Sequence, residues 1–313
     1  MHGPVACIGA GLIGTGWATC FAARGYAVRL QDSRRDVLEA GLKRIYANLK
    51  FLAANRLLDP AEVDAAFEQV EVAGTIAEAV ADAVYVQESV YDDLELKRAV
   101  FAEMDAAAPA QTVLASSSSG LLMTDIQQGT TKPERCVLAH PFLPVHLIPL
   151  VEVVGGARTA ALAVRRTAGL MEALGKTVVV LKKEVPGYIV NRLQAALLRE
   201  AIDLVHRGVA SAEDVDRAFC RGCGLRDAFL GPLLRAHLAG NSIENFLERY
   251  AQSYHSRWKT MAAWTSVPPS AAGAVREGVR EMRIVREKGI EDLKNWRDRL
   301  LVRQLGLLEA ADE

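Results

Sequence analysis

The sequence predicts an α/β fold: a Rossmann-type doubly wound sheet over residues 1–185, followed by an all-helical domain over residues 186–313. Three observations carry this expectation. Short apolar runs alternate with helical periodicity through the first half, the pattern of a mostly parallel sheet. A glycine-rich turn joins the first apolar run to the first helical stretch. Beyond Pro186-Gly187 no run reads as a strand.

The elements follow in order. Strands are expected at residues 4–9, 26–31, 69–72, 82–86, 112–115 and 135–139, with helices between them at 12–24, 35–56 and 93–107. Two more strand runs, Leu150–Val154 and Lys176–Leu181, flank a helical stretch at 160–173. After the change of pattern, 188–207 reads as one long helix and Ser211 as the cap of another. Residues 271–302 contain a charged helical stretch, and Pro268-Pro269 are expected to break a connection.

Composition narrows the class of function. The chain has 313 residues, a formal net charge of −1, 50% apolar and 24% charged residues. This is the composition of an ordinary globular protein, with no overall electrostatic pull toward nucleic acid. No apolar run approaches the ~18 residues of a membrane span. The N-terminus runs straight into the strand Pro4–Ile8 without a signal-peptide pattern, so a cytoplasmic protein is expected. Five scattered cysteines do not suggest a disulfide framework. Cys220-Arg221-Gly222-Cys223 is a lone CxxC with no second ligand pair, read as two ordinary thiols, and no metal is expected.

Residues Gly9-Ala10-Gly11-Leu12-Ile13-Gly14 form a GxGxxG turn between a strand and a helix. Gly9 permits the tight turn, Gly11 lets the backbone approach a pyrophosphate, and Gly14 allows close helix packing. The helix start at Leu12 and Ile13 supplies unpaired N–H groups and partial positive charge. Asp32 ends the second strand 18 residues past Gly14, placed for the adenine ribose hydroxyls. Its charge favours NAD over NADP, although Arg34 and Arg35 blur that preference.

Four polar positions suggest chemistry. Ser116–Ser119 follow a strand, where loops of such sheets meet ligands. His140 ends a strand and enters a proline-bounded turn. Glu152 sits inside the apolar strand Leu150–Val154, and a buried carboxylate needs a partner. A histidine one turn away is the obvious one, and together they make a base with its orienting acid. The pattern alone leaves an equal alternative, in which Glu152 faces solvent and His140 caps a turn. His146 competes for the role. Asn191 lies one turn into the helix that opens the second domain.

These residues resemble the 3-hydroxyacyl-CoA dehydrogenase superfamily, and within it the lambda-crystallin and L-gulonate 3-dehydrogenase branch, with carnitine 3-dehydrogenase close by. The resemblance covers roughly residues 4–260. It rests on Gly9–Gly14, Glu88-Ser89-Val90, Ser116–Ser119, His140-Pro141-Phe142, Leu150–Val153 and Pro186-Gly187-Tyr188-Ile189-Val190-Asn191-Arg192. It implies His140 as general acid/base with Glu152 as its partner, Ser119 and Asn191 at the reacting oxygen, and Asp92 and Lys97 against NAD. It also implies a helical domain that dimerises, in line with the apolar stripe Ile189, Leu193, Leu197 and Leu204.

Two departures bear on the substrate. The family's turn reads His-x-x-Asn-Pro, and here Leu143 stands at the Asn. Members acting on CoA thioesters carry a Ser and a Lys in the long helix after the second strand. Asn48 and Asn55 stand near those positions, so the cationic group is missing there, and Arg56 is the residue that could substitute for it. Gly224-Leu225-Arg226 resembles the small-substrate branch, and an arginine fork suits a carboxylate. The expected activity is oxidation of the 3-hydroxyl of a small, L-gulonate-like hydroxy acid. The alternatives are a 3-hydroxyacyl-CoA or carnitine 3-dehydrogenase and, more remotely, a non-catalytic crystallin-like protein.

Overall fold

The computed structural model describes residues 3–309. The chain divides into two compact units, one running to Asn191 and one from Arg192 onward.

The first unit holds one eight-stranded sheet. Its strands are β1 (Val5–Ile8), β2 (Val28–Gln31), β3 (Val70–Val72), β4 (Tyr85–Glu88), β5 (Val113–Ser116), β6 (Cys136–Pro141), β7 (Leu150–Gly155) and β8 (Thr177–Val180). They lie in the order β3-β2-β1-β4-β5-β6-β7-β8. The run from β3 to β6 is parallel, β7 is antiparallel to β6, and β8 is parallel to β7. β1, β4, β5 and β6 are buried along their whole length, as parallel strands covered on both faces must be. The helices of this unit are α1 (Leu12–Ala22), α2 (Arg35–Ala54), α3 (Val63–Glu68), α4 (Ile76–Val80), α5 (Leu94–Ala107), α6 (Met123–Ile126) and α7 (Ala161–Ala173).

α8 (Val190–His206) leads into the second unit, which contains α9 (Ala212–Arg221), α10 (Gly224–Asp227), α11 (Pro232–Gly240), α12 (Ile243–Trp258), α13 (Pro269–Glu281), α14 (Arg283–Glu287) and α15 (Ile290–Glu309). Among the described residues no strand follows β8, and no helix is long and apolar enough to cross a membrane. Ser211 caps α9 by accepting the Asp214 N–H. Cys220 and Cys223 are free, exposed thiols.

Three expectations need correction. The fourth strand is not 82–86 but Tyr85–Glu88. Its last two residues, Gln87 and Glu88, are polar yet fully buried, so an apolar criterion ends the strand too early. Pro269 does not break a connection. It opens α13 at a first-turn position, where its missing N–H costs nothing. The charged stretch 271–302 is three helices, because Met282 and Lys288 adopt extended backbone between them.

The sheet brings its site-forming ends together by simple geometry. β1 is flanked by β2 on one side and by β4 on the other, so the chain order reverses there. A crevice opens at such a switch point, outside the C-terminal ends of the strands. Gly9 takes φ +98°, and a side chain there would strike the Ser89 carbonyl. A Cβ on Gly14 would lie 1.8 Å from the Gly9 carbonyl oxygen, while one on Gly11 would meet nothing within 4 Å. The first and last glycines therefore serve packing, and the middle one keeps an open face.

Gly14→Ala is predicted to push α1 off β1. The overpacking cost is at least the ~1–3 kcal/mol usual for such insertions. Thermal unfolding of the variant should show a lowered Tm, and fluorescence titration should show NADH binding lost. An unchanged Tm would contradict the packing role.

Candidate active site

The dinucleotide end is built first. No side chain caps α1 at Gly11, so its first N–H groups face the crevice beside the open side of Gly11. Asp32 stands at the end of β2 and accepts from the Ala10 N–H through Oδ2 (2.9 Å) and from the Arg34 N–H through Oδ1 (3.0 Å). The carboxylate is thereby fixed against the glycine turn. Arg34 directs its guanidinium to Asp36, and Arg35 pairs with Glu39 at 3.1 Å. Both arginines that blurred the cofactor preference are engaged elsewhere. These residues fit NAD: glycines where the backbone must be bare, a helix start for phosphates, and a carboxylate for ribose hydroxyls.

A second group lies at the ends of β4 and β5. Glu88 is wholly buried. Its Oε1 accepts from the Val90 N–H (2.6 Å) and from Lys97 Nζ (2.7 Å), and its Oε2 accepts from Ser116 Oγ (2.6 Å). Lys97 Nζ also donates to the Val90 carbonyl at 3.1 Å and lies 3.4 Å from Asp92. Two of the three donors of the ammonium are engaged in hydrogen bonds, and Asp92 adds a second carboxylate beside its charge. Lys97 is 1% exposed, so it stands a layer behind the crevice surface and acts on it through Glu88 and Asp92. Asp92 Oδ2 accepts both the N–H and the hydroxyl of Ser119 at 3.1 Å. Burial pushes the Asp92 carboxyl up, but hydrogen bonds from Ser118 and Ser119 and the charge of Lys97 outweigh it and hold it below its ordinary value. Glu88 had no role in the sequence reading. The same signal that exposed Glu152, an acid in an apolar strand, was available for it.

The third group is the histidine pair. The antiparallel register sets His140 of β6 opposite Glu152 of β7. His140 Nδ1 and Glu152 Oε2 are 2.9 Å apart, with His140 4% and Glu152 1% exposed. This decides between the alternatives: Glu152 faces inward and has His140 as its partner. Its other oxygen accepts the N–H groups of Ile189 (2.9 Å) and Val190 (3.0 Å), which start α8. Burial raises the Glu152 carboxyl, yet bonding to His140, Val190 and Ile189 brings it below its ordinary 4.5. An ionised carboxylate only accepts. A neutral His140 must therefore carry its proton on Nδ1 and present a bare Nε2. Phe142 and Tyr188 wall the imidazole, with ring centroids at 4.7 and 5.2 Å.

Asn191 belongs to the first turn of α8, and its amide donates to the Ser119 carbonyl at 3.4 Å. The structure thus brings Ser119, Asn191 and Asp92 into one cluster, and Glu152 ties His140 to the helix that carries Asn191. His146 packs edge-on against Phe51 of α2. Leu143 is 51% exposed. Arg226 belongs to the second unit, where it sits on α10, exposed and without an ion-pair partner among the described residues. Tyr188 was missed as a site residue. It is buried, takes φ +48°, and bonds through its hydroxyl to the Leu121 carbonyl at 2.7 Å. Left-handed backbone in a bulky residue marks a constrained position.

Comparison with known proteins adds the decisive observation. Residues 4–185 match the 3-hydroxyacyl-CoA dehydrogenase NAD binding domain, and residues 187–270 match the C-terminal domain of the same family. The chain belongs to the 3-hydroxyacyl-CoA dehydrogenase family. It is an NAD-dependent dehydrogenase acting on a 3-hydroxy substrate. It is 45% identical over 262 residues to an L-carnitine dehydrogenase of Streptomyces coelicolor, covering 83% of this chain and 81% of that one. It is 33% identical to a lambda-crystallin homolog of Homo sapiens, covering 96% and 95%. Among solved structures it is similar to 5-formyl-3-hydroxy-2-methylpyridine 4-carboxylic acid 5-dehydrogenase, described as an NAD+-dependent dismutase. That match has a TM-score of 0.84 and 30% identity, and covers 99% of both chains.

This family member should show an acid-dependent stability that traces to Glu152. A carboxyl whose folded pKa is depressed contributes stability above its unfolded pKa and loses it as pH falls through the folded value. Wild type should therefore exceed Glu152→Gln in unfolding free energy at pH 7, by about 1–3 kcal/mol. The gap should close as the pH drops from about 5 toward 3. Urea unfolding of both proteins across that range measures it, and a gap constant with pH would contradict the ionised pairing.

Proposed function

We propose that this dehydrogenase oxidises the 3-hydroxyl of a small 3-hydroxy carboxylate to the ketone, and runs the reverse reduction, with His140 as general acid/base. One observation carries the reading: Glu152 holds Nδ1 of His140, leaving Nε2 as the proton acceptor. NAD, when bound, supplies the hydride acceptor. The proton left on the alcohol oxygen passes to Nε2, and Glu152 stabilises the imidazolium that forms, the part an acid plays behind histidine in hydrolytic triads. Ser119 and Asn191 steady the reacting oxygen as its charge changes, and Asp92 keeps Ser119 in place. Asp32 selects NAD over NADP by accepting ribose hydroxyls and repelling a 2′-phosphate.

Three features favour a small acid over a CoA thioester. The Asn48 amide is spent on Thr19 (3.1 Å), and the Asn55 amide on the Phe51 carbonyl (2.8 Å). The last turn of α2 carries no basic residue, and the neighbouring cations, Lys50 and Arg56, stand just before and just after it. Arg226 has a guanidinium free to take a carboxylate. The 45% identity to an L-carnitine dehydrogenase puts carnitine ahead of L-gulonate within this class.

Assembly is part of the proposal. Among the described residues of the second unit, the buried apolar ones are Ala212, Ala271 and Met282. Leu193, Leu197, Leu198, Leu233 and Leu247 are each more than 45% exposed. Helices that leave such faces bare need a covering surface, and we assign it to a second copy of the chain, as a homodimer. Light scattering at micromolar concentration should give twice the chain mass. A monomer would remove this part of the reading.

The chemistry is tested by a substrate panel followed by NADH absorbance, with L-carnitine, L-gulonate, 3-hydroxybutyrate and acetoacetyl-CoA. A small hydroxy acid should turn over and the CoA ester should not. His140→Ala should lower kcat by on the order of a hundredfold or more while NADH still binds. Arg226→Met should raise KM by roughly ten- to a hundredfold, the worth of a charge-assisted pair. Near-normal kcat in His140→Ala would place the base elsewhere.

A further inference from the structure

A buried chain of polar side chains runs beneath the glycine turn, and its donors and acceptors can be counted. Tyr85, Gln87 and Trp17 are fully buried and Ser117 is 4% exposed. Tyr85 donates its hydroxyl proton to Gln87 Oε1 at 2.8 Å. Gln87 Nε2 donates to Ser117 Oγ at 2.8 Å and faces the Ala139 carbonyl at 3.4 Å. A carbonyl can only accept, so it fixes which end of the Gln87 amide is which. Trp17 Nε1, a donor only, gives its proton to Ser117 Oγ at 3.1 Å.

A hydroxyl has two acceptor sites and one proton. Both acceptor sites of Ser117 are filled by groups that cannot accept. Its one proton must therefore go to the remaining neighbour, Ser89 Oγ, at 2.9 Å. Ser89 in turn accepts from Ser117, and its own proton points away from the chain. Among the described residues nothing takes that proton. Such a preset donor, polarised by the bonds behind it, is a binding group waiting for an acceptor.

The acceptor is located by the sheet. Ser89 follows the last residue of β4 and is half-buried. A Cβ on Gly9 would lie 2.7 Å from its carbonyl oxygen, and one on Gly14 would lie 3.5 Å from its Cβ. Asp32 marks the adenosine end at β2, the glycine turn at β1 marks the pyrophosphate, and β4 is the next strand along. We propose that the Ser89 hydroxyl donates a hydrogen bond to an oxygen on the nicotinamide half of NAD, held in that donor role by Trp17, Gln87 and Ser117. The inference rests on the family's NAD binding and is independent of which hydroxy acid is oxidised.

Binding measured on the full-length protein without substrate tests it. NADH is titrated by fluorescence, and AMP, which lacks the nicotinamide half, by calorimetry. Ser89→Ala should weaken NADH roughly three- to tenfold, the worth of one neutral hydrogen bond, and leave AMP within about twofold. Ser89→Cys keeps the size but is a poor donor, so it should lose NADH affinity nearly as far as Ser89→Ala. Unchanged NADH affinity in Ser89→Ala would overturn the proposal. Equal losses for NADH and AMP would do the same, because they would reveal a disturbed glycine turn. So would full affinity in Ser89→Cys, because size and not donation would then be what matters.

Discussion

The arrangement at the end of the sheet hangs on one carboxylate. Glu152 divides its two oxygens between His140 and the first N–H groups of α8. One contact sets the tautomer of the imidazole. The other pins the start of the helix that carries Asn191, using N–H groups that a helix leaves unpaired in its first turn. A buried charge is expensive, and here hydrogen bonds at both oxygens offset the expense. Imidazole orientation and the turn Ile189–Val190 thus share a single anchor, and the residues on either side of it are not free to drift independently.

Glu88 repeats this economy at the neighbouring strands. Buried ion pairs add little net stability, because desolvation takes back most of the attraction. The Glu88–Lys97 pair is better understood as a device for direction. Lys97 collects Glu88, the Val90 carbonyl and Asp92 around one ammonium, and Asp92 passes the constraint on to Ser119. A serine on a surface loop would otherwise sample several rotamers. Here both its backbone and its side chain are bound to one carboxylate.

Much of this was legible in the sequence, and the rest was hidden for physical reasons. The glycine turn could be read because each glycine answers a separate steric demand. Glu152 stood out because a carboxylate among valines needs a partner. The pairing with His140 could not be decided until the antiparallel register of β6 and β7 fixed both side chains on one face. Strand β4 was misplaced because its end is polar, and the polar end is where Gln87 and Glu88 work. The depth of Lys97 was hidden, because burial has no signature in spacing. Tyr188 was obscured by the neighbouring Pro186-Gly187, which explains a turn without calling for a constrained aromatic. The polar chain from Tyr85 to Ser89 joins residues far apart in sequence, and no local pattern announces it.

The Arg34–Asp36 contact carries an evolutionary consequence. The cation that a second phosphate would require is already present, two residues past Asp32, and its neighbour keeps it occupied. That pair is largely exposed to water, where ion pairs are weak and easily exchanged. The restraint on Arg34 is therefore slight, and on the proposed reading of Asp32 it is that carboxylate's charge which turns the phosphorylated cofactor away. A lineage under pressure to change its reducing currency would need no new arginine. It would need only to give up the acid at position 32, which makes the two cofactor economies near neighbours in sequence space.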